Sequence, residues 1–295
     1  MKTLIFTSSL LSLMLLSGCG KPSASAPAPA ATADAALMQV VDGLNQNNAA
    51  AGWNMLPASY QAELSEVKGE FAAKMDPVLW DSGASLVGKL HGVLESKKDL
   101  LLASPMMAQV PMSQDLSANY DTLVAILGDV LDSDLATLEG IETMDIGSFL
   151  STTGSDIMKS FSAIEISDSS PKPMDMNSML KMPGKILNTQ AELVSEEGDT
   201  AVVLVTTEGE EPVEVPFVKV EGKWIPADMQ SAFADMIEGM HESINEIEIT
   251  PETKTQVQMG MSMVGGMLDQ LATAKTQADL QAVMGGVMGM MMGGM

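Results

Sequence analysis

Residues 197–229 read EGDTAVVLVTTEGEEPVEVPFVKVEGKWIPADM, and their pattern is the strongest indication of the fold class. Runs rich in β-branched residues alternate here with acidic, glycine-containing turns, which is typical of short strands joined by hairpins. The runs are residues 191–195, 200–207 and 213–220, and a last turn leads into Trp224 and Ile225. The pattern predicts an antiparallel meander over residues 189–225. Because residues 201–205 lack polar alternation, we expect that strand to be covered on both faces.

Helices are predicted on both sides of this meander, because apolar residues recur there at helical spacing. Asp76 followed by Pro77 marks one helix start, since aspartate caps well and proline fits the first helical position. Trp53, Met55, Leu56 and Pro57 form an apolar corner. The predicted helices cover residues 35–48, 59–75, 77 to Lys97-Lys98, 116–138, 146–164, 174–187 (interrupted at Pro183-Gly184), 226–247 and 251–272, with a shorter one from 276. The fold class is therefore α+β, predominantly helical, with a small antiparallel meander sheet packed by helices.

The N-terminus has the pattern of a targeting signal. Lys2 supplies a positive charge, Leu4–Leu16 an apolar core, and Leu16-Ser17-Gly18-Cys19 ends it with small residues and a cysteine. This tetrad resembles the lipobox of bacterial lipoproteins. A transmembrane anchor or a plain secretory signal are the alternatives, but the apolar core is too short for a bilayer, which takes about 20 residues of helix.

The resemblance to lipoproteins implies cleavage between Gly18 and Cys19, with diacylglycerol linked to the Cys19 thiol and an acyl chain on its amino group. Gly20 stands where aspartate tends to mean retention at the inner membrane, so the resemblance implies an outer-membrane anchor facing the periplasm. Residues 19–34, rich in proline, alanine and serine, are predicted to be the linker from the lipid to the folded region.

Composition excludes some classes of function. Cys19 is the only cysteine, so the lipidated protein forms no disulfide. The formal net charge is −24, which becomes −25 when Lys2 leaves with the signal peptide. The chain has no arginine, the residue on which phosphate recognition depends most. Nucleic acid is therefore excluded as a partner, and anionic lipid surfaces would repel the body.

Residues 197–229 also resemble the closing hairpins of nuclear-transport-factor-2-like, or cystatin-like, α+β domains of bacterial lipoproteins. The likeness is carried by Gly198-Asp199, by Val218-Lys219-Val220 and by Gly222-Lys223-Trp224, together with the opening helix, Trp53 and Pro57. It implies a curved sheet wrapped by helices. It implies no activity, because that fold hosts enzymes, binders and structural modules alike.

Partial motifs of catalysis and metal binding are all incomplete. His241-Glu242 begins a zincin motif, but Asn245 stands in place of the second histidine. Residues 83–87 begin a nucleophile elbow around Ser85, but valine replaces the second glycine. Asp132-Ser133-Asp134 begins a calcium loop that lacks its glycine. His91 and His241 are interpreted as helix-surface residues, and we predict no catalytic residue and no cofactor.

Methionine is the compositional anomaly, at 27 residues. If residues 283–295 are helical, Gly285, Gly289 and Gly293 share one stripe, and Met284, Met288 and Met292 share the next. Three interpretations stay open for this tail: a packing segment in which methionine is a flexible filler, a thioether site for Cu(I), and an adaptable apolar surface for a protein or lipid.

The predicted organisation is a signal peptide (1–18), a lipidated cysteine and linker (19–34), one helix-rich α+β domain (35–275) and a Met/Gly-rich tail (276–295). Within the domain, residues 35–187 are predicted to be helical, 189–225 to form the sheet and 226–275 to return to helix. The leading functional hypothesis is a membrane-anchored, non-enzymatic periplasmic binding or scaffolding module with a protein partner in the envelope. A carrier of Cu(I) or of an apolar ligand, and an enzyme with an unrecognised site, are the alternatives.

Overall fold

The computed structural model describes residues 28, 30–105, 113–164, 188–283 and 285. In this part of the chain most residues are helical and one four-stranded antiparallel sheet is present, which confirms the predicted fold class. The helices are α1 Ala33–Asn45, α2 Ala50–Met55, α3 Ala58–Lys74, α4 Pro77–Ser96, α5 Lys98–Leu102, α6 Ser113–Ala118, α7 Tyr120–Leu131, α8 Leu138–Thr143, α9 Ile146–Phe149, α10 Ser155–Ser162, α11 Met229–Asn245 and α12 Pro251–Thr273. The strands are β1 Thr189–Glu197, β2 Thr200–Thr207, β3 Val213–Val220 and β4 Lys223–Pro226.

The described residues form two compact units that interleave along the chain. The first contains the described residues up to 74, with 141–162 and 188–247, and the second contains 75–105, 113–140, 163–164 and those from 248 onward. In the described parts of the chain, no helix has the length and apolar character needed to cross a membrane.

The sheet of the first unit is the predicted meander, with strand order β1-β2-β3-β4 and antiparallel pairing throughout. Val203 is fully buried, whereas its neighbours Val202 and Leu204 on the opposite face stay half-exposed. The expectation that β2 is covered on both faces is therefore wrong. Apolar residues stand on both sides of β2, but only one side lies in the core.

The turn from β3 to β4 also supports a helix. Glu221 and Gly222 both have positive φ, at 51° and 77°, as a tight turn between adjacent strands requires. In this conformation the Glu221 carboxylate accepts a hydrogen bond from the backbone N–H of Ser59, with Oε2 3.1 Å from the nitrogen. The bonds from Ser59 lower the pKa of Glu221. The carboxylate thus satisfies a free N–H in the first turn of α3.

The core of the first unit forms where α1 and α11 meet the sheet. Trp224, Phe217 and Met229 are at most 2% exposed, and the predicted corner of Trp53, Met55, Leu56 and Pro57 is buried as well. Helix α1 begins two residues before the predicted start, because Ala33 is fully buried there. Gly43 lets α2 approach α1, since a Cβ at this position would lie 2.5 Å from the Cβ of Ala51.

The second unit is built around α4 and α12. The Asp76 side chain caps α4 by accepting from the N–H of Leu79 at 3.0 Å, which confirms the predicted helix start. Its second oxygen pairs with Lys254 of α12 at 2.6 Å, and these contacts, with the Lys254 bond the largest, lower the pKa of Asp76. Lys89 and Asp269 form a second ion pair between the helices, at 2.7 Å.

The predicted helix 116–138 is wrong, because this segment is broken into α6, α7, a 3-10 turn at Asp134–Ala136 and α8. Ser133 explains the main break: its hydroxyl accepts from the N–H of Leu135 at 3.2 Å and so starts the 3-10 turn. The helix predicted at 146–164 is continuous to Ser162 but contains a π-helical turn at Leu150–Gly154. The helix predicted at 174–187 lies outside the described residues.

Candidate functional site

The residues that the sequence singled out as sites fall mostly outside the described part of the chain. Cys19 and Gly18, the predicted lipidation and cleavage residues, lie there, and so do Met284, Met288 and Met292, the Cu(I) candidates. Lipidation and copper binding therefore stay predictions.

His241 pairs with a carboxylate, and the pair joins two helices. Its Nδ1 lies 2.6 Å from Oε2 of Glu70, so α11 contacts α3 here, and both side chains remain more than one-third exposed. Tyr60 and Phe233 stack between the same helices, with ring centroids 3.9 Å apart. The histidine is thus one of several contacts that hold α3 against α11, which is a structural role.

His91 and the other partial motifs lie on helices of the second unit. His91 in α4 is half-buried, and its Nε2 would lie 3.1 Å from a Cβ placed on Gly128 of α7, so the ring fills the space above that glycine. Ser85 is exposed in the middle of α4, whereas a nucleophile elbow needs a strand-to-helix turn. Asp134 is in the 3-10 turn. Across the described residues, no three or more His, Cys, Asp or Glu side chains cluster as a metal site would require.

A small crevice opens in the first unit where α1, α2 and β4 meet. Its volume of ≈ 50 Å³ holds a few water molecules and is far below the roughly 300–1,000 Å³ of small-molecule sites. Trp224 is one of the lining residues, and the ammonium of Lys223, another, donates to the Asn54 carbonyl at 2.8 Å. The lining residues are Ala30, Ala36, Gln39, Val40, Asn48, Ala51, Asn54, Met55, Lys223 and Trp224.

Helix α12 presents two exposed methionines on one side, Met259 and Met263, which we call the methionine face. Met259 is 64% exposed and Met263 is 53% exposed, whereas Gly265 and Leu268 on the other side of the helix are buried. Because Met259 and Met263 are four residues apart, they stand one above the other on the helix. Residues 255–268 contain no charged side chain, and the exposed neighbours Gln256 and Ser262 are polar but neutral.

Two glycines of the same helix, Gly260 and Gly266, are not required by the packing around them. A Cβ on Gly260 or on Gly266 would meet open space, so neither glycine is needed for packing within the described structure. A glycine in a helix interior is less favourable than alanine by about 0.5–1 kcal/mol. The methionine face is therefore uncharged and accessible, and its two side chains can contact an apolar surface.

Sequence reasoning predicted α12 almost to the residue but missed its exposed face, because it sought the adaptable methionine surface in the tail. The available signal was the concentration of ten methionines from Met259 to Met295. Four of them, at 259, 261, 263 and 267, lie in α12.

Comparison with known proteins yields no relative: no family model matches the chain, and neither a curated protein nor a solved structure is significantly similar to it.

Proposed function

We propose that the chain is a lipid-anchored, non-enzymatic module of the bacterial periplasm that binds another protein through the methionine face of α12. The observation that carries the binding role is the exposure of Met259 and Met263 in a charge-free segment of an ordered helix. The N-terminal tetrad ending at Cys19 supports the anchor, and Gly20 supports sorting to the outer membrane.

Methionine suits such a role because its side chain is unbranched and polarizable, and it repacks around apolar partners of different shape. Exposed apolar surface in a soluble domain commonly marks an interaction site. A non-enzymatic role is further supported by the small volume of the crevice and by the structural use of His241.

A protein surface suits this face better than a lipid surface. Helices that lie on membranes carry many lysines and arginines on their polar side, which attract anionic lipid. Helix α12 carries one basic residue, Lys254, and that residue is paired with Asp76. With a net charge of −24, the chain favours a partner whose apolar patch has a neutral or basic rim.

The binding role is tested by introducing charge at the face. We place a photo-crosslinking amino acid at position 263 of the lipoprotein in living cells and compare Met259→Glu with Val194→Glu. Val194 is a matched control, because it is 51% exposed but lies on β1. We expect one defined adduct, which Met259→Glu abolishes and Val194→Glu preserves, with both variants folded normally.

Absence of an adduct, or an adduct that both variants preserve, would refute the protein-binding role. A crosslink to lipid that disappears with Met259→Glu would show that the face binds membrane instead, and would refute it as well.

The anchor is tested separately, through Cys19→Ser. This variant should lose incorporation of an alkyne fatty acid and leave the membrane fraction, because Cys19 is the predicted attachment point. Continued labelling and continued sedimentation with membranes would show that the lipoprotein hypothesis is wrong.

A further inference from the structure

The methionine face exposes sulfur as well as apolar surface. Among the methionines whose side chains the structure describes, Met259 and Met263 are exposed and the others are half-buried or buried. Met229 is fully buried in the first unit. Met261 lies between the two exposed residues but points toward α4, because its Cε lies 3.7 Å from a Cβ placed on Gly83. Helix α12 therefore presents two thioethers to solvent and packs a third against its neighbour.

A thioether reacts with hydrogen peroxide by transfer of one oxygen atom. A bond forms between sulfur and oxygen, the O–O bond of the peroxide breaks, and the second oxygen leaves as water with both protons. The sulfur loses two electrons and becomes a sulfoxide, and the peroxide is reduced. The oxidant must reach the sulfur, so a packed thioether reacts only when its surroundings open. Exposure therefore favours reaction at Met259 and Met263.

The sulfoxide changes the character of the face and leaves the packing of the helix intact. Oxidation converts a flexible apolar side chain into a polar one, with an oxygen that accepts hydrogen bonds. In the free protein this oxygen faces water, because Met259 and Met263 are exposed. Against an apolar partner it would be buried without a donor, which is unfavourable. Oxidation should therefore weaken binding without unfolding α12.

We propose that Met259 and Met263 form an oxidation-sensitive site, that peroxide converts them to methionine sulfoxide, and that this modification releases the partner of the methionine face. The release rests on the proposed function, whereas the modification does not. Methionine sulfoxide reductases reverse the reaction: a dithiol supplies two electrons and two protons, becomes a disulfide, and the sulfoxide oxygen leaves as water. The site can therefore return to its apolar form.

The modification is tested with dilute hydrogen peroxide on a chain of residues 19–295. Sulfoxide at each methionine is followed in time by mass spectrometry of proteolytic peptides, once for the folded chain and once in urea. In the folded chain, Met259 and Met263 should react several-fold faster than Met261 and at least roughly tenfold faster than Met229, and the rates should converge in urea. Equal rates at Met259 and Met261 in the folded chain would overturn the proposal.

The release is tested in membranes from cells that carry the photo-crosslinking amino acid at position 256. Gln256 is exposed and precedes Met259 by three residues, so it stands on the same side of α12. Met259→Gln combined with Met263→Gln imitates the sulfoxides, because glutamine is similar in length and polar. Val194→Gln is the control, since it makes the same kind of change on β1. The changed side chains are all exposed, so both variants should melt within about 2 °C of the native chain.

We expect the double glutamine variant to give roughly tenfold less adduct than the native chain, and Val194→Gln to give the native amount. Peroxide should lower the adduct of the native chain in step with the sulfoxide content of Met259 and Met263. A methionine sulfoxide reductase with a dithiol should then restore it. An adduct that neither peroxide nor the double variant lowers would overturn the release and leave the proposed function standing.

Failure of the proposed function would look different. The untreated native chain would then give no adduct at all, which refutes the release together with the binding role. The sulfoxide rates of Met259, Met261 and Met263 would still decide the modification, because they are measured on the isolated chain.

Discussion

Trp224→Ala should be among the most destabilising single substitutions in the first unit. Trp224 is 1% exposed and is the largest of the fully buried side chains. Its ring lies under the Lys219 ammonium at 4.6 Å, and its Nε1–H donates to Ala31. The substitution removes the packed ring, the cation–π contact and the hydrogen bond together, so three stabilising contributions disappear at one position.

The magnitude follows from the buried area. A buried tryptophan removes about 150–250 Å² from water, and at about 25 cal/mol per Å² this corresponds to roughly 4–6 kcal/mol as an upper bound. Alanine retains a small part of that area, while the cavity left behind adds a cost. Measured truncations of buried Phe and Trp to Ala fall at about 3–5 kcal/mol. We therefore expect the free energy of unfolding to decrease by about 3–5 kcal/mol.

The measurement is urea unfolding of a chain of residues 19–295, followed by circular dichroism in the far ultraviolet. Val194→Ala is the control, since an exposed side chain on the same sheet should change the free energy of unfolding by less than about 0.5 kcal/mol. A loss below about 1 kcal/mol for Trp224→Ala would refute the reasoning, because it would place the ring outside the core.

Gly43→Ala should destabilise the protein by about 1–3 kcal/mol, because the close approach of α2 leaves no room for a Cβ. Gly69→Ala in α3, where a Cβ meets nothing, should instead stabilise it by about 0.5–1 kcal/mol. Thermal melts of the two variants should shift in opposite directions, and equal shifts would contradict the packing described at Gly43. Asp76→Asn should keep the helix cap but lose the ion pair. Because the folded pKa of Asp76 is lowered, its contribution is present above the ordinary aspartate pKa and disappears as pH falls through the folded value. The deficit of this variant in urea unfolding should therefore be seen at pH 7 and shrink as the pH falls below the ordinary aspartate range. Deleting Val283–Met295 should leave the copper content at background and lower the melting temperature only slightly, since five of these residues are glycine. The copper carrier would be supported instead if the full chain retained stoichiometric Cu(I) against a chelator and the truncated chain lost it.

The fold class was predictable because its signals are local. The runs that form β2 and β3 are bounded by acidic turns with glycine, and their bounds match the strands residue for residue. Asp76-Pro77 likewise marks the first turn of α4 through two adjacent residues. The break at Ser133 was missed because serine is common in helices as well as at their ends. Only the local geometry shows its hydroxyl bonded to Leu135.

The methionine face was not predictable, although the helix that carries it was. Met259, Met261 and Met263 are equally apolar in the sequence, so hydrophobic periodicity cannot tell which of them faces the core. In the structure, the Met261 side chain contacts the space above Gly83 of α4, while Met259 and Met263 stay exposed. The position of α4 decides this, and α4 is more than 150 residues earlier in the chain.

The contacts of the N-terminal segment were invisible for a different reason. Ala28 and Ala31 accept through backbone carbonyls, a group common to every residue type, and one donor, Trp224, is 193 residues away from Ala31. Composition therefore assigns residues 19–34 to a linker, which at about 3.1 Å per residue over residues 21–34 reaches roughly 40 Å. The bond from Trp224 nevertheless fixes Ala31 two residues before α1 begins, so the folded region starts inside the segment that composition assigns to the linker.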